Sequence, residues 1–311
     1  GGAGAGGWLR CVVHNCSEVE SIPDTLYLAS VAESELGNTV FCTFGCHPHL
    51  YRSYGDEMEA RLLEALRECG PRAVGWGECG LDYCKNYWEA RCPEAHAKMV
   101  EVFARQARLA AARGLPLVVH SREADEDTLQ VLRECLPREH RIHIHAFMGS
   151  KRMMWEALEL FPNCVFGVSG MVLLPEPFEA ALEIARACPL ERLVLETDAP
   201  YLADEPRQIP HIAAKVAQLK GFDPAEVLAA TSANCERLYG IALAPVPPPP
   251  EPVVVEVTRD IRLKGKPHRW TRVGQATYRT WSPEPPGSER PAPLRCGAEQ
   301  WTHGPAAGYR S

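Results

Sequence analysis

The sequence predicts an α/β fold of the (β/α) barrel type, in which parallel strands alternate with helices. Short apolar runs alternate with amphipathic segments about seven times along the chain. Regular alternation of this kind is typical of parallel strands joined by right-handed crossovers. Several apolar runs end in histidine or a carboxylate, and a barrel gathers such side chains at the carboxyl ends of its strands, whereas an open sheet concentrates them at one switch point. We therefore predict a closed TIM-type barrel that shows only seven of the usual eight strands.

Each predicted strand is a short apolar run that stops at glycine, proline or a polar residue. In chain order the runs are Trp8–His14, Asn38–Phe44, Val74–Glu78, Val118–His120, Ile142–His145, Cys164–Val168 and Val194–Glu196. The segments between them carry apolar residues at helical spacing. They are Asp24–Leu36, Asp56–Cys69, Glu94–Arg113, Leu129–Leu136, Met154–Phe161, Phe178–Ala187, Ile209–Lys220 and a last helix that ends near Tyr239.

Three helix ends carry recognisable boundary signals. In the last helix, Asp223 is a predicted N-cap, Pro224 occupies the first turn, and Glu226 is placed to reach back to the cap amide. Gly114 closes the long third helix as a left-handed residue just beyond its end. Asp56 is predicted to cap the second helix.

Composition excludes several classes of protein. The net charge of −7 argues against a globally basic nucleic-acid binder, although it leaves room for an enzyme that binds phosphates locally through metal ions. The 13 cysteines include no Cys-x-x-Cys pair, which favours free thiols in a reducing compartment and hence an intracellular protein, cytoplasmic or nuclear. No apolar run is long enough to span a membrane. Nothing in the sequence indicates an obligate protein partner.

The composition also divides the chain into three parts. Residues 1–7 are glycine-rich and read as a flexible start, and residues 8–243 hold the predicted barrel. Residues 244–311 open with a proline-rich stretch and contain few apolar residues at regular spacing, so we expect a largely disordered tail. Within it, residues 259–279 carry seven basic side chains and one acid. That run is either a salt-sensitive contact with nucleic acid or a solvated charge run.

Four side chains at predicted strand ends indicate a metal site. Glu78, His120, His145 and Asp198 each follow an apolar run. Two histidines with carboxylates suit Zn²⁺, Mn²⁺ or Mg²⁺, and one carboxylate can bridge two ions. A single strand-end histidine is usually only hydrogen-bonded, but four such groups at successive strand ends favour the metal interpretation.

Three other polar residues at these strand ends carry further predictions. Glu196 lies two residues before Asp198, so it either orients a water or a histidine, or closes a structural ion pair. Asp82 is predicted to orient a loop or a nearby histidine. His143 is interpreted as facing away from the barrel interior, in a structural role.

Two further candidates concern the substrate. Arg122 follows His120 by two residues, and its planar guanidinium either binds a phosphate oxygen or pairs with Glu123 or Asp125. His47 and His49 flank a proline at another strand end, and we expect one of them to lie near the substrate. The glycines around Glu78, Gly77 and Gly80, let a ligand or another backbone approach closely.

The motifs together resemble the TatD-type metal-dependent deoxyribonucleases. The resemblance extends from about Leu9 to Gly240 and rests on motifs in the family's order. They are Gly-Cys-His-Pro-His at 45–49, Gly-Glu-Cys-Gly-Leu-Asp at 77–82, His-Ser-Arg-Glu at 120–123, His-Ala-Phe-Met-Gly-Ser at 145–150, Glu-Thr-Asp-Ala-Pro-Tyr-Leu at 196–202, and Asn234. The resemblance implies a TIM-type barrel, two divalent ions, and hydrolysis of phosphodiester bonds, typically trimming of DNA or RNA from the 3′ end.

The resemblance also implies individual roles. Glu78 would bridge the two ions, and His120 and His145 would hold one of them. Asp198 would hold the other and help to activate water, which makes Asp198 and Glu78 the catalytic carboxylates. Arg122 and His47 would contact the substrate phosphate.

One departure from the family pattern concerns the first strand. The family opens with a strand ending in His-x-His, but no His-x-His precedes Gly45, and residues 1–7 stand where that strand is expected. We therefore expect one complete metal site and one incomplete site, with His14 as a candidate substitute ligand. Two alternatives to a nuclease stay open: a related hydrolase acting on a non-nucleic ester or amide, and a degenerate barrel that binds without turnover.

Overall fold

A computed structural model describes residues 11–36, 39–84, 92–174, 178–199 and 205–242 of the chain. The predicted flexible start at 1–7 and the predicted tail at 244–311 lie outside these ranges, as do Tyr201 and Leu202 of the last motif. Across the described ranges, no helix has both the length and the apolar character that a membrane crossing requires.

Seven parallel strands form one curled sheet, and they follow the order of the sequence. The strands are β1 (Cys11–Cys16), β2 (Thr39–Phe44), β3 (Ala73–Asp82), β4 (Leu117–Arg122), β5 (Ile142–Ile144), β6 (Cys164–Val168) and β7 (Leu193–Leu195). Eight helices accompany them: α1 (Ile22–Leu36), α2 (Asp56–Cys69), α3 (Pro93–Arg113), α4 (Asp125–Cys135), α5 (Lys151–Leu160), α6 (Glu179–Ala187), α7 (Ile209–Lys220) and α8 (Pro224–Tyr239). The predicted TIM-type α/β architecture is confirmed. In the described residues the sheet is a half-barrel with β1 and β7 at its edges, so the predicted closure is not formed there.

Strands β3, β5 and β6 are buried along almost their whole length, whereas β1 at the edge of the sheet is mostly half-buried. On the outer face, residues such as Val119 and Ile144 join the large core beneath the helices. On the concave face, Val118 and Val165 form a smaller cluster with Leu238 and Tyr239 from the end of α8. The end of α8 therefore covers the lower part of the concave face, below the carboxyl ends of the strands.

The helix ends follow their capping residues. Asp223 caps α8 in a complete capping box with Glu226, and Gly114 closes α3 with a φ of 64°, as predicted. The prediction for Asp56 was wrong by one residue, because Gly55 is the N-cap of α2 and Asp56 is its first helical residue. There its carboxylate still lies at the favourable end of the helix dipole.

The glycines of β3 bring neighbouring backbones together. Gly77 and Gly80 have φ values of 134° and 151°. A Cβ on Gly77 would collide with the carbonyl of Val118, and one on Gly80 would collide with the backbone of His120. Of the two predicted reasons for these glycines, the close approach of a backbone is the one that the structure shows. The register between β3 and β4 also shifts between Trp76 and Cys79, an irregularity that spans Glu78 and re-aims its side chain.

Candidate metal centre at the carboxyl ends of the strands

The four predicted ligands meet on one side of the sheet. Glu78 Oε1 lies 2.8 Å from His120 Nδ1 and 3.6 Å from His145 Nε2. His145 Nε2 lies 3.6 Å from Asp198 Oδ1. The side chains of β3, β4 and the segments after β5 and β7 thus converge, as their common place at strand ends predicted.

Glu78 is the shared member of this group. Besides His120 and His145, its Oε1 lies 3.9 Å from Nε2 of His47. No lysine or arginine of the described part of the chain pairs with it. Burial raises the pKa of Glu78, but His145, His120 and His47 outweigh burial and hold this pKa well below its usual range. A carboxylate that stays ionised while buried among histidines is the donor that a divalent cation requires.

His120 is held between two carboxylates. Its Nδ1 contacts Glu78, and its Nε2 lies 3.3 Å from Asp82 Oδ2. The same Asp82 oxygen lies 2.8 Å from Nε2 of His49, and its other oxygen accepts a hydrogen bond from the amide of Cys84. Burial lowers the pKa of His120, but the bonds to Asp82 and Glu78 outweigh it and raise the pKa to about 9. Asp82 thus contacts both histidines and the amide of Cys84, and its orienting role stays a prediction.

Glu196 orients His145. Its Oε2 lies 2.6 Å from His145 Nδ1, and its Oε1 accepts a hydrogen bond from the amide of Ala146. Because Nδ1 of His145 faces Glu196, Nε2 faces Glu78 and Asp198. No lysine or arginine pairs with Glu196 in the described ranges, so both of its predicted roles, orienting a histidine and closing an ion pair, would be carried by the contact with His145.

The prediction for His143 was wrong. His143 is paired in register with Val118 and Val165, which belong to the concave cluster, so it faces the barrel interior. Its Nδ1 lies 2.9 Å from the hydroxyl of Tyr239, and its Nε2 lies 3.7 Å from Glu196 Oε2. The two-residue spacing from His145 already contained this information, because alternate residues of a strand face the same way. Tyr239 carried no comparable signal, since its contact depends on where α8 ends.

Gly167 leaves the room that this arrangement needs. A Cβ at this position would collide with the carboxylate of Glu196 and would lie 2.8 Å from Nε2 of His143. The glycine of β6 therefore allows two polar side chains to meet on the concave face.

His47 joins the group from the end of β2. Its Nδ1 accepts a hydrogen bond from the amide of His49, which aims Nε2 towards Glu78. Burial, with the charge of His120, lowers the pKa of His47 to about 3, so the ring is neutral. Because its Nδ1 accepts from the His49 amide, its proton lies on Nε2, the atom that faces Glu78. Donor atoms of His47, Glu78 and His120 lie within 4.8 Å of one another. The residue that the resemblance assigned to phosphate contact is therefore also placed as a possible ligand.

Arg122 is not paired with either predicted acid. Its guanidinium contacts the sulfur of Met148 at 3.6 Å and the ring of Phe178, at 5.7 Å from the centroid. Asp125 instead accepts a hydrogen bond from the amide of Ser150. In the described part of the chain Arg122 has no carboxylate partner, which favours the phosphate-binding interpretation.

His14 lies on the wrong face to act as a ligand. It is paired in register with Cys42, a member of the large core under the helices, whereas its neighbour Val13 faces the concave cluster. Burial lowers the pKa of His14. The predicted substitution of His14 for a ligand of the missing His-x-His is therefore wrong for this arrangement.

The backbone is unusual at three strand ends of this site. Glu123, Ala146 and Asp198 have φ values of 54°, 39° and 53°, and they are the described non-glycine residues with positive φ. Such conformations cost about 1–3 kcal/mol each and gather at functional sites. The sequence held no signal for them.

The donor set fits a divalent cation. It consists of carboxylate oxygens and imidazole nitrogens, and no ammonium or guanidinium group contacts these donors in the described ranges. Ligands of one ion with bonds of about 2 Å lie roughly 3–3.5 Å apart. The separation of 3.6 Å between His145 Nε2 and Glu78 Oε1 comes close to this value.

Comparison with known proteins decides the family. The family model described as "TatD related DNase" matches residues 4–240. The chain belongs to the TatD family. Among curated TatD relatives, the human protein named "3'-5' RNA nuclease TATDN2" is 38% identical over 215 residues, which is 65% of this chain and 27% of the relative. The Citrobacter rodentium protein named "3'-5' ssDNA/RNA exonuclease TatD" is 35% identical, over 65% of this chain and 77% of the relative.

Solved structures show the same TatD fold. The TatD homologue YJJV from Escherichia coli K12 superposes with a TM-score of 0.63 at 23% identity, over 74% of this chain and 86% of that one. A TatD-family hydrolase from Entamoeba histolytica gives a TM-score of 0.65 at 19% identity, over 74% and 85%. This chain spans only 27% of the human relative, so the activity of that whole protein is not carried over by similarity alone.

Proposed function

We propose that this chain is a metal-dependent nuclease that hydrolyses phosphodiester bonds of single-stranded DNA or RNA from the 3′ end. The observation that carries the proposal is the Glu78 carboxylate, which three histidines approach at the carboxyl ends of the strands. Membership of the TatD family supports the reaction class. The names of the human and Citrobacter relatives support the 3′-to-5′ direction and both kinds of nucleic acid.

The ligand roles are those that the resemblance to the TatD family implies. Glu78 would bridge the two ions, His120 and His145 would hold one of them, and Asp198 would hold the other. His47 is the remaining imidazole next to Glu78, and we assign it to the second position. A divalent cation at this place supplies a water of lowered pKa and neutralises charge on the phosphate. Mg²⁺, Mn²⁺ and Zn²⁺ all accept these donors.

Asp198 would also help to activate the attacking water, the second role that the resemblance implies for it. In the metal-free protein burial raises its pKa, against the opposing charge of His145 and with the charges of Glu196 and Glu78. Arg122 then binds a phosphate oxygen of the substrate, because its guanidinium has no described carboxylate to neutralise it.

The test is cleavage of single-stranded DNA and RNA oligonucleotides labelled at either end, with Mg²⁺ or Mn²⁺. The proposal expects a ladder that shortens from the 3′ end with the 5′ label, and released mononucleotide with the 3′ label. Glu78→Gln should abolish both, and EDTA should do the same. Cleavage that survives Glu78→Gln would point to a contaminating nuclease, and uncut oligonucleotides in every metal would overturn the proposal.

The number of ions is tested separately. Calorimetric titration of the metal-free chain with Mn²⁺ should show one tighter site and one weaker site, because the second position has fewer described donors. His47→Gln should weaken the second site and leave the first nearly unchanged. Two equal, tight sites that are insensitive to His47→Gln would show that other residues complete the second position.

A further inference from the structure

Phe178 is an aromatic ring that is left partly in solvent beside the candidate site. It precedes α6 as its N-cap residue and is 47% exposed. The other large apolar side chains that the structure leaves this exposed are Tyr27, Trp155 and Phe222. Single exposed apolar residues are common on protein surfaces and need no explanation by themselves. Phe178 differs because it contacts Arg122.

The contact with Arg122 links the ring to the phosphate-binding position. The guanidinium carbon lies 5.7 Å from the ring centroid, within the range of a cation–π contact. Arg122 follows His120 on β4, and Met148, its other described contact, follows His145. The aromatic ring, the guanidinium and the metal ligands therefore occupy one continuous stretch of the rim.

We propose that Phe178 and Arg122 form one nucleotide subsite, in which Arg122 binds a backbone phosphate and Phe178 stacks on the adjoining base. This inference rests on the proposed nuclease function and names how the site holds its substrate. Aromatic side chains beside a cationic group are the usual means of binding single strands, and stacking tolerates every base because each has a π face. The subsite therefore accepts a single strand of any sequence and excludes a paired base, whose faces are covered by its neighbours in a duplex.

The test removes either the ring or the base. Binding of a fluorescein-labelled thymidine octamer is measured by anisotropy in EDTA, where a metal-dependent nuclease cannot turn over. A second octamer carries abasic residues at its two 3′-terminal positions. Phe178→Ala should weaken binding of the normal octamer about 5- to 100-fold and should leave binding of the abasic octamer nearly unchanged. Phe178→Trp should restore the preference for the base, whereas Phe178→Leu should not.

Phe222 offers a matched control. It is 45% exposed and lies beyond Gly221 at the carboxyl end of α7, away from the described site residues. Phe222→Ala removes the same ring from the surface and should leave both octamers unaffected. Equal losses on the two octamers, or equal effects of Phe178→Ala and Phe222→Ala, would overturn the subsite. So would a wild-type protein that binds neither octamer.

The outcome separates this inference from the proposed function. A chain that cleaves oligonucleotides in a Glu78-dependent way, but shows no base preference at Phe178, keeps the nuclease proposal and loses the subsite. A chain that shows the Phe178-dependent base preference but cleaves nothing in any metal keeps the subsite as a binding device and loses the nuclease proposal.

Discussion

Glu78 and Glu196 are both buried carboxylates among histidines, yet they use their oxygens in different ways. Both oxygens of Glu196 are engaged within hydrogen-bond distance, one by His145 and the other by the amide of Ala146. Glu78 has one such bond, to His120, while His145 and His47 lie 3.6 and 3.9 Å from the same oxygen. The longer separations leave space between Glu78 and these two histidines, whereas each oxygen of Glu196 is within hydrogen-bond distance of its partner.

These contacts indicate that Glu78, rather than Glu196, is available for a cation. Glu196 fixes the direction of His145, because an imidazole whose Nδ1 donates to a carboxylate presents its Nε2 lone pair. Glu78 lies next to this Nε2 atom and places its negative charge beside it. We therefore expect loss of Glu78 to remove a ligand and loss of Glu196 to loosen one.

The largest effect is expected from Glu78→Gln. Replacing the shared carboxylate with an amide should reduce Mn²⁺ affinity by more than the roughly 10- to 100-fold typical of an outer-shell partner. Calorimetric titration with Mn²⁺ measures this loss. Glu64→Gln, a change at an exposed surface pair, is the control and should bind like wild type. Unchanged Mn²⁺ affinity in Glu78→Gln would remove Glu78 from the ligand set.

A smaller effect is expected from Glu196→Gln. The glutamine amide has only one oxygen, whereas Glu196 accepts from both His145 Nδ1 and the amide N–H of Ala146. Its NH₂ group would face one of these two donors, so His145 should lose its fixed orientation. The same titration should show a loss of about 10- to 100-fold in Mn²⁺ affinity. A loss as large as that of Glu78→Gln would indicate that Glu196 is itself a ligand.

The stability of the metal-free protein should depend on pH, because carboxylates and histidines of the site have shifted pKa values. The folded pKa of Glu78 and Glu196 is depressed, so their stabilisation is present above an unfolded pKa of about 4.3 and is lost as the pH falls. The folded pKa of His120 is raised to about 9, so its stabilisation is full below an unfolded pKa of about 6.5 and is lost as the pH rises to about 9. The folded pKa values of His47 and His143 are lowered to about 3 and about 4, so these neutral rings cost stability as the pH falls below about 6.5. The metal-free protein in EDTA should therefore have its highest melting temperature near about pH 6.5.

His120→Gln provides the control for this profile. It should lessen the decline in stability between about pH 6.5 and 9, and part of the decline should remain because the pKa of His145 is raised as well. A variant whose melting temperature falls over this range as steeply as that of wild type would assign the decline to groups other than His120.

A modest effect on stability is expected from Tyr239→Phe. The variant removes the hydroxyl that meets His143 Nδ1, and burial already lowers the pKa of His143 to about 4. Loss of one buried hydrogen bond should lower the free energy of unfolding by about 1–3 kcal/mol. Chemical denaturation measures this loss, and Mn²⁺ affinity should change less than in Glu196→Gln. A greater loss of Mn²⁺ affinity in Tyr239→Phe would place the tyrosine in direct control of His145.

The smallest effect is expected from His14→Gln. His14 faces the helices rather than the concave face, so Mn²⁺ affinity and nuclease activity should match those of wild type. Titration and the oligonucleotide assay check this expectation. A clear loss of the second Mn²⁺ site in His14→Gln would restore His14 as a ligand and would require β1 to adopt another register.

Much of the fold and part of the site could be predicted because they depend on local patterns. Apolar runs alternating with helical periodicity predicted the seven strands, and strand ends carrying Glu78, His120, His145 and Asp198 predicted where polar groups meet. His143 was misassigned although its spacing from His145 places it on the same face. The partnership of Arg122 with Phe178, rather than with Glu123 or Asp125, depends on β4 meeting the start of α6, which no local pattern encodes.

By itself, the sequence determined the alternation of strands and helices, the helix ends at Gly114 and Asp223, and the residue types at the strand ends. These features follow from periodicity and backbone preference within a few residues. The contacts of the two carboxylates depend on tertiary structure, which gives Glu78 one hydrogen bond and two longer approaches by histidine and gives Glu196 a hydrogen bond on each oxygen. That difference depends on the curl of the sheet, on the register shift beside Glu78 and on the space left by Gly167, and each of these arises from contacts between strands far apart in the chain.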